Sequence, residues 1–338
     1  MKAEASSIGI AGAGSIGCFV GGCLAAGGRR VAMLMRPRII EEIEANGLRL
    51  SSYDGMDLTI PAAELRLSQD PAVLAGANII IVTVKGHDTA EMADHIRNHA
   101  RPEAIIVSLQ NGVDNLPLLR AKLPDHQVLG GMVPFNVLAR GAARFHRATS
   151  GDIVLENGPR DFAAELSVPN LAMQTTANID GVLWGKLLIN LNNALNALAG
   201  VPLREQLAKR EWRLLLADQM AEALKIFGAA GIRPVPMTPL PPWVTPWLLR
   251  LPDGLFHLML GRVMQIDADA RSSMWDDLQR RRPTEVDLLQ GAVVRLAHQA
   301  GRAAPLSERI VDLVHAAEAR GEGPPHLSPA AIRGAIGA

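Results

Sequence analysis

Lys186 stands in an otherwise apolar run, LWGKLLINLNNALNAL, with Asn190 four residues on and Asn193 seven on. Around a helix these three side chains fall at about 0°, 40° and −20°, so one face carries an amine and two carboxamides. An ammonium beside hydrogen-bonding amides can polarise a carbonyl and protonate its oxygen as charge develops there. Asn192 and Asn196 lie well off that stripe. Asparagine is a mediocre helix former and costly to bury unpaired, so the face suits a polar ligand. Hydrogen bonding between helices, with a snorkelling lysine, is the alternative. Farther on, RSSMWDDLQRRRPTEVD supplies Ser272, Ser273 and Glu285. Pro283-Thr284-Glu285 reads as a helix start, and a carboxylate there could simply face the helix dipole.

The N-terminal end offers a different chemistry. In SIGIAGAGSIGCF, the segment Gly12-Ala13-Gly14-Ser15-Ile16-Gly17 has G-x-G-x-x-G spacing, with a strand pattern before it and a helical one after. Gly12 permits the sharp turn, Gly14 lets a pyrophosphate reach the backbone, and Gly17 lets the helix pack close to the sheet. A dinucleotide site is the expectation. The next strand ends in LMRPR, with Arg36 where an NAD site commonly places an acid. A guanidinium pairs with a 2′-phosphate that a carboxylate would repel, so NADP(H) is favoured over NAD(H); a solvated arginine is the alternative. Lys85 and Asn111 follow the two strongest strand patterns, NIIIVTVK and AIIVSLQN, at the strand ends that line the ligand crevice of such sheets. A solvated lysine and an ordinary Asn-Gly turn are the plain alternatives.

The elements that must hold these residues change rhythm along the chain. The first half alternates strand and helix patterns, including a hairpin in LRLSSYDGMDLTIPA. From about residue 180 come long helical runs that each close on glycine: DGVLWGKLLINLNNALNALAG, EWRLLLADQMAEALKIFGAAG and TEVDLLQGAVVRLAHQAG. Between the second and third lies the proline-rich segment 233–246, expected to be an extended lid or a rigid connector. The fold class is therefore an α/β N-terminal Rossmann-type doubly wound sheet followed by an all-α C-terminal domain. The expected division is an NADP-binding domain over 1–178 and a helical substrate and catalytic domain over 179–338.

Composition narrows the partners. The 338 residues carry 34 basic and 34 acidic side chains, so no net field draws the chain to nucleic acid or an anionic membrane. No apolar stretch is long enough to span a bilayer, and the first residues lack the pattern of a signal peptide. Cys18 and Cys23 would point about 140° apart on a helix, which suits two reduced core thiols and a cytoplasmic protein. His87 and His146 lack metal-ligand spacing, and no metal is expected.

The chain resembles the ketopantoate reductase (2-dehydropantoate 2-reductase) family. The likeness runs through GIAGAGSIG, VTVKGHD, SLQNGVDN, LWGKLLINLNN and SSMWDDLQRRRPTEVD. It implies NADPH-dependent reduction of a 2-oxo acid, 2-dehydropantoate, to (R)-pantoate in pantothenate biosynthesis. It implies that Lys186 donates the proton, that Asn190 and Asn193 bind substrate, and that Ser273 meets its carboxylate. Glu285 would lie near the substrate hydroxyl and the nicotinamide ribose. Lys85 and Asn111 would serve the cofactor, Asn111 also the substrate, and Arg36 the adenosine phosphate. Two positions depart from the family pattern: Ala194 stands where many members place the second helix asparagine, and Leu203 where a further substrate-side asparagine is expected. An NADP-dependent reductase of another 2-oxo acid or an imine, and a non-catalytic NADP(H)-binding sensor, stay open as alternatives. A homodimer stays open as an assembly.

Overall fold

Short runs of isoleucine and valine organise the first of two units, Met1–Ile179 and Asp180–Ala338. The structure is a computed structural model that describes residues 7–159, 161–260 and 270–334. The first unit begins with β1 (Ser7–Ala11), α1 (Ser15–Ala26), β2 (Arg30–Leu34), α2 (Pro37–Asn46), β3 (Leu48–Ser52) and β4 (Asp57–Ile60). It continues through β5 (Leu65–Ser68), β6 (Ile79–Val82), α3 (Thr89–His99), β7 (Ile105–Ser108) and α4 (Asn115–Lys122). It closes with β8 (Gln127–Met132), β9 (Val137–Ala139), β10 (Arg144–Arg147), β11 (Ile153–Glu156), α5 (Phe162–Leu166) and β12 (Met173–Thr176).

The main sheet has the order β12-β11-β8-β7-β6-β1-β2-β5. The run from β8 to β5 is parallel, and only the β11–β8 pairing is antiparallel. All four residues of β6 are fully buried, as a strand covered on both faces requires. The expected hairpin forms as β3 and β4, but its strands do not join the main sheet. They make a second sheet, β4-β3-β10-β9, in which β10 runs parallel to β3. Helix α1 is packed against strands of both sheets, which explains its lack of a polar stripe. A Cβ on Gly22 would lie 2.8 Å from side-chain carbons of both Leu48 and Leu50. Cys18 and Cys23 of this helix are buried free thiols, and burial pushes the Cys23 thiol up to about 12.

Among the described residues the second unit is all helical. Its elements are α6 (Ile179–Asn190), α7 (Asn192–Ala199), α8 (Leu203–Ala208), α9 (Arg210–Ala229) and α10 (Thr245–Leu249). They are followed by α11 (Asp253–Leu260), α12 (Ser273–Gln279), α13 (Val286–Gln299), α14 (Pro305–Arg320) and α15 (Pro329–Arg333). The fully buried Arg213 of α9 ties several helix ends together. Its guanidinium donates to the carbonyls of Ala208 at 2.9 Å and Leu251 at 3.0 Å, and to Asp253 Oδ1 at 2.6 Å. It also stacks 4.1 Å from the Phe256 ring centre. A carbonyl at the end of α8 and another just past α10 are thereby satisfied.

The lysine–asparagine run is not one helix but two, α6 and α7, parted at Leu191, whose carbonyl accepts a bond from Gln290 Nε2 at 2.8 Å. Leu191 itself keeps helical angles, φ −55° and ψ −27°, and its N–H donates to Leu187 O at 3.0 Å. The proline-rich segment, irregular until Thr245 starts α10, is laid against α6: Val235 N donates to Gly181 O at 2.7 Å.

Candidate active site

Adjacent parallel strands place one group of residues along the carboxyl edge of the main sheet. Because β7, β6, β1 and β2 are neighbours in register, Asn111, Lys85, the glycine loop and Arg36 follow one another along that edge. Gly12 has φ +88°, and a Cβ there would lie 2.1 Å from Val84 Cγ1. The N–H groups of Gly12 and Ala13 donate to Leu34 O at 3.2 and 2.9 Å, which locks the loop to the end of β2. A Cβ on Gly17 would meet Thr83 Oγ1 at 2.5 Å, so the start of α1 sits tightly on the sheet. At Gly14, by contrast, a Cβ would meet nothing within 4 Å. No side chain caps α1 and no acidic residue stands in its first turn. The loop is thus closed towards the sheet and open where an anionic group would sit, and it fits a dinucleotide pyrophosphate.

The two arginines after β2 differ. Arg38 pairs with Glu42 at 3.0 Å, whereas Arg36, at the N-cap of α2, is exposed and has no side-chain partner among the described residues. Only Arg36 has its guanidinium fork unspent for a phosphate.

A buried chain of polar side chains, not foreseen from the sequence, holds the Lys85 and Asn111 loops. Gln110 Nε2 donates to Val84 O at 3.1 Å and to Thr89 Oγ1 at 2.7 Å. Thr89 Oγ1 donates to Asn115 Oδ1 at 2.9 Å, and Asn115 Nδ2 donates to Asn111 O at 2.7 Å. Gln110, Thr89 and Asn115 are all buried. The only hint in the sequence was a glutamine ending an apolar strand.

In the second unit, Lys186 and Asn190 share α6. Burial pushes the Lys186 ammonium down to about 8, against the nearby Glu285 carboxylate, whose charge raises it. Glu285 occupies the N-cap position of α13 but makes no capping bond. A carboxylate there still faces the positive end of the α13 dipole, and its charge also acts on Lys186.

The four asparagines fall into two pairs. Asn196 is fully buried: its Nδ2 donates to Val201 O at 2.9 Å and Gln206 Oε1 at 3.0 Å, and its Oδ1 accepts from Ser272 N at 2.9 Å. Asn192 exchanges bonds with the same Gln206 carboxamide. Asn190 and Asn193 are half-buried, and neither carboxamide has a protein partner among the described residues. Ser273 is exposed at the first position of α12, while its neighbour Ser272 caps that helix. Leu203 lies at the same corner, its N–H donating to Ala270 O at 2.8 Å. Ala194 is buried in α7 and offers no polar group.

Gly185, just before the lysine, is explained by the proline-rich segment. A Cβ there would lie 2.1 Å from Val235 O. Gly185→Ala is expected to push that strap off α6 and to cost about 1–3 kcal/mol, as overpacking does, read by urea unfolding.

The profile described as Ketopantoate reductase PanE/ApbA matches residues 8–160, and Ketopantoate reductase PanE/ApbA C terminal matches residues 178–318. The chain belongs to the ketopantoate reductase family. As a member it is a pyridine nucleotide-dependent oxidoreductase acting on CH–OH groups, and the resemblance read from the motifs holds across both units. The 2-dehydropantoate 2-reductase of Halobacterium salinarum is 27% identical to it, over 92% of this chain and 99% of its own length. The crystal structure of a PanE/ApbA family ketopantoate reductase from Ralstonia eutropha JMP134 is 28% identical with a TM-score of 0.79, covering 94% of this chain and 99% of that one. The 2-dehydropantoate 2-reductase structure from Geobacter metallireducens GS-15 is 26% identical with a TM-score of 0.76, covering 92% and 99%. The Rossmann-type sheet followed by an all-helical domain is the architecture these matches support.

Proposed function

We propose that this chain reduces 2-dehydropantoate to (R)-pantoate with NADPH, as a step of pantothenate biosynthesis in the cytoplasm. The observation that carries the reading is the Lys186 ammonium beside Glu285, on the helix that also bears the unpartnered Asn190 carboxamide. The first unit is the cofactor domain in this reading. The backbone of Gly12, Ala13, Gly14, Ser15, Ile16 and Gly17 holds the pyrophosphate, and Arg36 holds the 2′-phosphate. Lys85, Asn111 and Glu285 complete the cofactor contacts. When bound, the nicotinamide supplies the hydride.

The second unit supplies the acid and most of the substrate contacts. Ser273 binds the carboxylate of the 2-oxo acid, and Asn190, Asn193 and Asn111 orient it. Lys186 Nζ donates a hydrogen bond to the C2 oxygen and gives up its proton as that oxygen becomes negative. Glu285 favours the charged lysine beforehand and accepts a hydrogen bond from the substrate's distal hydroxyl.

Leu203 favours a second reading on the same scaffold, a different 2-oxo acid. An apolar side chain at the corner by Ala270 and Ser273 cannot bond a distal hydroxyl. Steady-state NADPH oxidation with 2-oxo acids that have or lack that hydroxyl separates the two. The highest kcat/KM is expected with 2-dehydropantoate. A better substrate without the hydroxyl transfers the assignment to the second reading, and no turnover with any of them ends both.

A further inference from the structure

Three bonds stitch the segment before α12 to the α7–α8 corner. Leu203 N donates to Ala270 O at 2.8 Å, Ser272 N donates to Asn196 Oδ1 at 2.9 Å, and Ser272 Oγ donates to Asn193 O at 2.9 Å. Ser272 Oγ also accepts from Trp275 N at 3.1 Å, so one hydroxyl both caps α12 and reaches α7. Ser272 is 3% exposed and Asn196 0%, which keeps both away from any substrate. Asn196 is itself braced by Gln206, another residue with no exposure. The groups this stitching brings together are those with nothing else to do. Asn193 lends its backbone carbonyl while its carboxamide has no partner among the described residues, and Ser273 follows Ser272 directly with its side chain exposed.

We propose that Ser272 and Asn196 form a positioning clamp that holds Asn193 and Ser273 in the register needed to grip the carboxylate end of the substrate. The proposal rests on the 2-oxo acid reading above. Neither clamp residue touches substrate. They act through the relative placement of α7 and α12, and buried, fully bonded polar networks fix such placement in one arrangement. Capping and clamping are separable, because glycine is nearly as good as serine at an N-cap but cannot make the bond to Asn193 O.

The test is steady-state kinetics with the preferred 2-oxo acid and NADPH on three variants. Ser272→Ala removes the hydroxyl. Ser272→Gly removes it too, while keeping a residue that is well tolerated at an N-cap, and so serves if the alanine variant does not fold. Ser272→Thr retains the hydroxyl. The alanine and glycine variants are expected to raise KM about 10-fold with a smaller fall in kcat, as misplaced binding groups do, and to leave the Kd for NADPH unchanged. The threonine variant is expected to restore KM. A wild-type KM in the alanine or glycine variant, or a threonine variant as impaired as alanine, overturns the clamp while leaving the reaction assigned. A wild-type chain that reduces none of the 2-oxo acids overturns the reaction and the clamp with it.

Discussion

Lys186→Ala is expected to lower turnover of the 2-oxo acid at least ~100-fold, the usual size of a lost general acid, with NADPH binding unaffected. The argument is electrostatic. The carbonyl oxygen gains a full negative charge during reduction, and in a half-buried site an ammonium stabilises that charge far better than water does. Lys186 is also poised to release its proton, because burial holds it at about 8 rather than in the ordinary lysine range. The sign of the pH dependence follows. Below about 8 the lysine is charged and can donate, so the rate of the proton-dependent step is flat; above it the acid is lost and the rate falls about tenfold per pH unit. Lys186→Arg, which stays charged throughout, is expected to be slower yet to lose that alkaline limb. A pH profile of kcat/KM for the two proteins decides the matter. An alanine variant with near-normal turnover, or an alkaline limb that survives in the arginine variant, would remove Lys186 from the chemistry.

Arg36→Asp is expected to reverse the cofactor preference. A guanidinium on a phosphate makes charge-assisted bonds worth about 1.5–3 kcal/mol each, so losing one weakens NADPH by roughly 10- to 150-fold. The introduced carboxylate adds repulsion against the 2′-phosphate and can accept bonds from a ribose 2′-hydroxyl, so NADH is expected to hold or gain. Arg38 cannot rescue the site at no cost, since its fork is engaged with Glu42. Fluorescence titration of both cofactors against wild type and variant measures the change. Unchanged preference would return Arg36 to the solvated surface.

Local pattern and residue chemistry determined a good deal by themselves. Three glycines in frame between a strand and a helix specify a tight turn whatever surrounds them, and the structure keeps Gly14 open and Gly17 closed. Runs such as IIIV carry their own burial, and the change from alternating elements to long helices marked the two halves. Tertiary structure decided which polar groups are spent. The helical period separated Asn190 and Asn193 from Asn192 and Asn196, but the partners are non-local: Gln206 from α8 and Ser272 from the far side of α11 consume the second pair. Gln290, 99 residues away, meets the carbonyl of Leu191, between α6 and α7. The hairpin belongs to a second sheet because β10, some ninety residues on, pairs with β3. Gly185 has its reason in a carbonyl fifty positions later. A spacing rule reports only what a residue's near neighbours do; which distant group satisfies a buried amide is known only once the chain has packed.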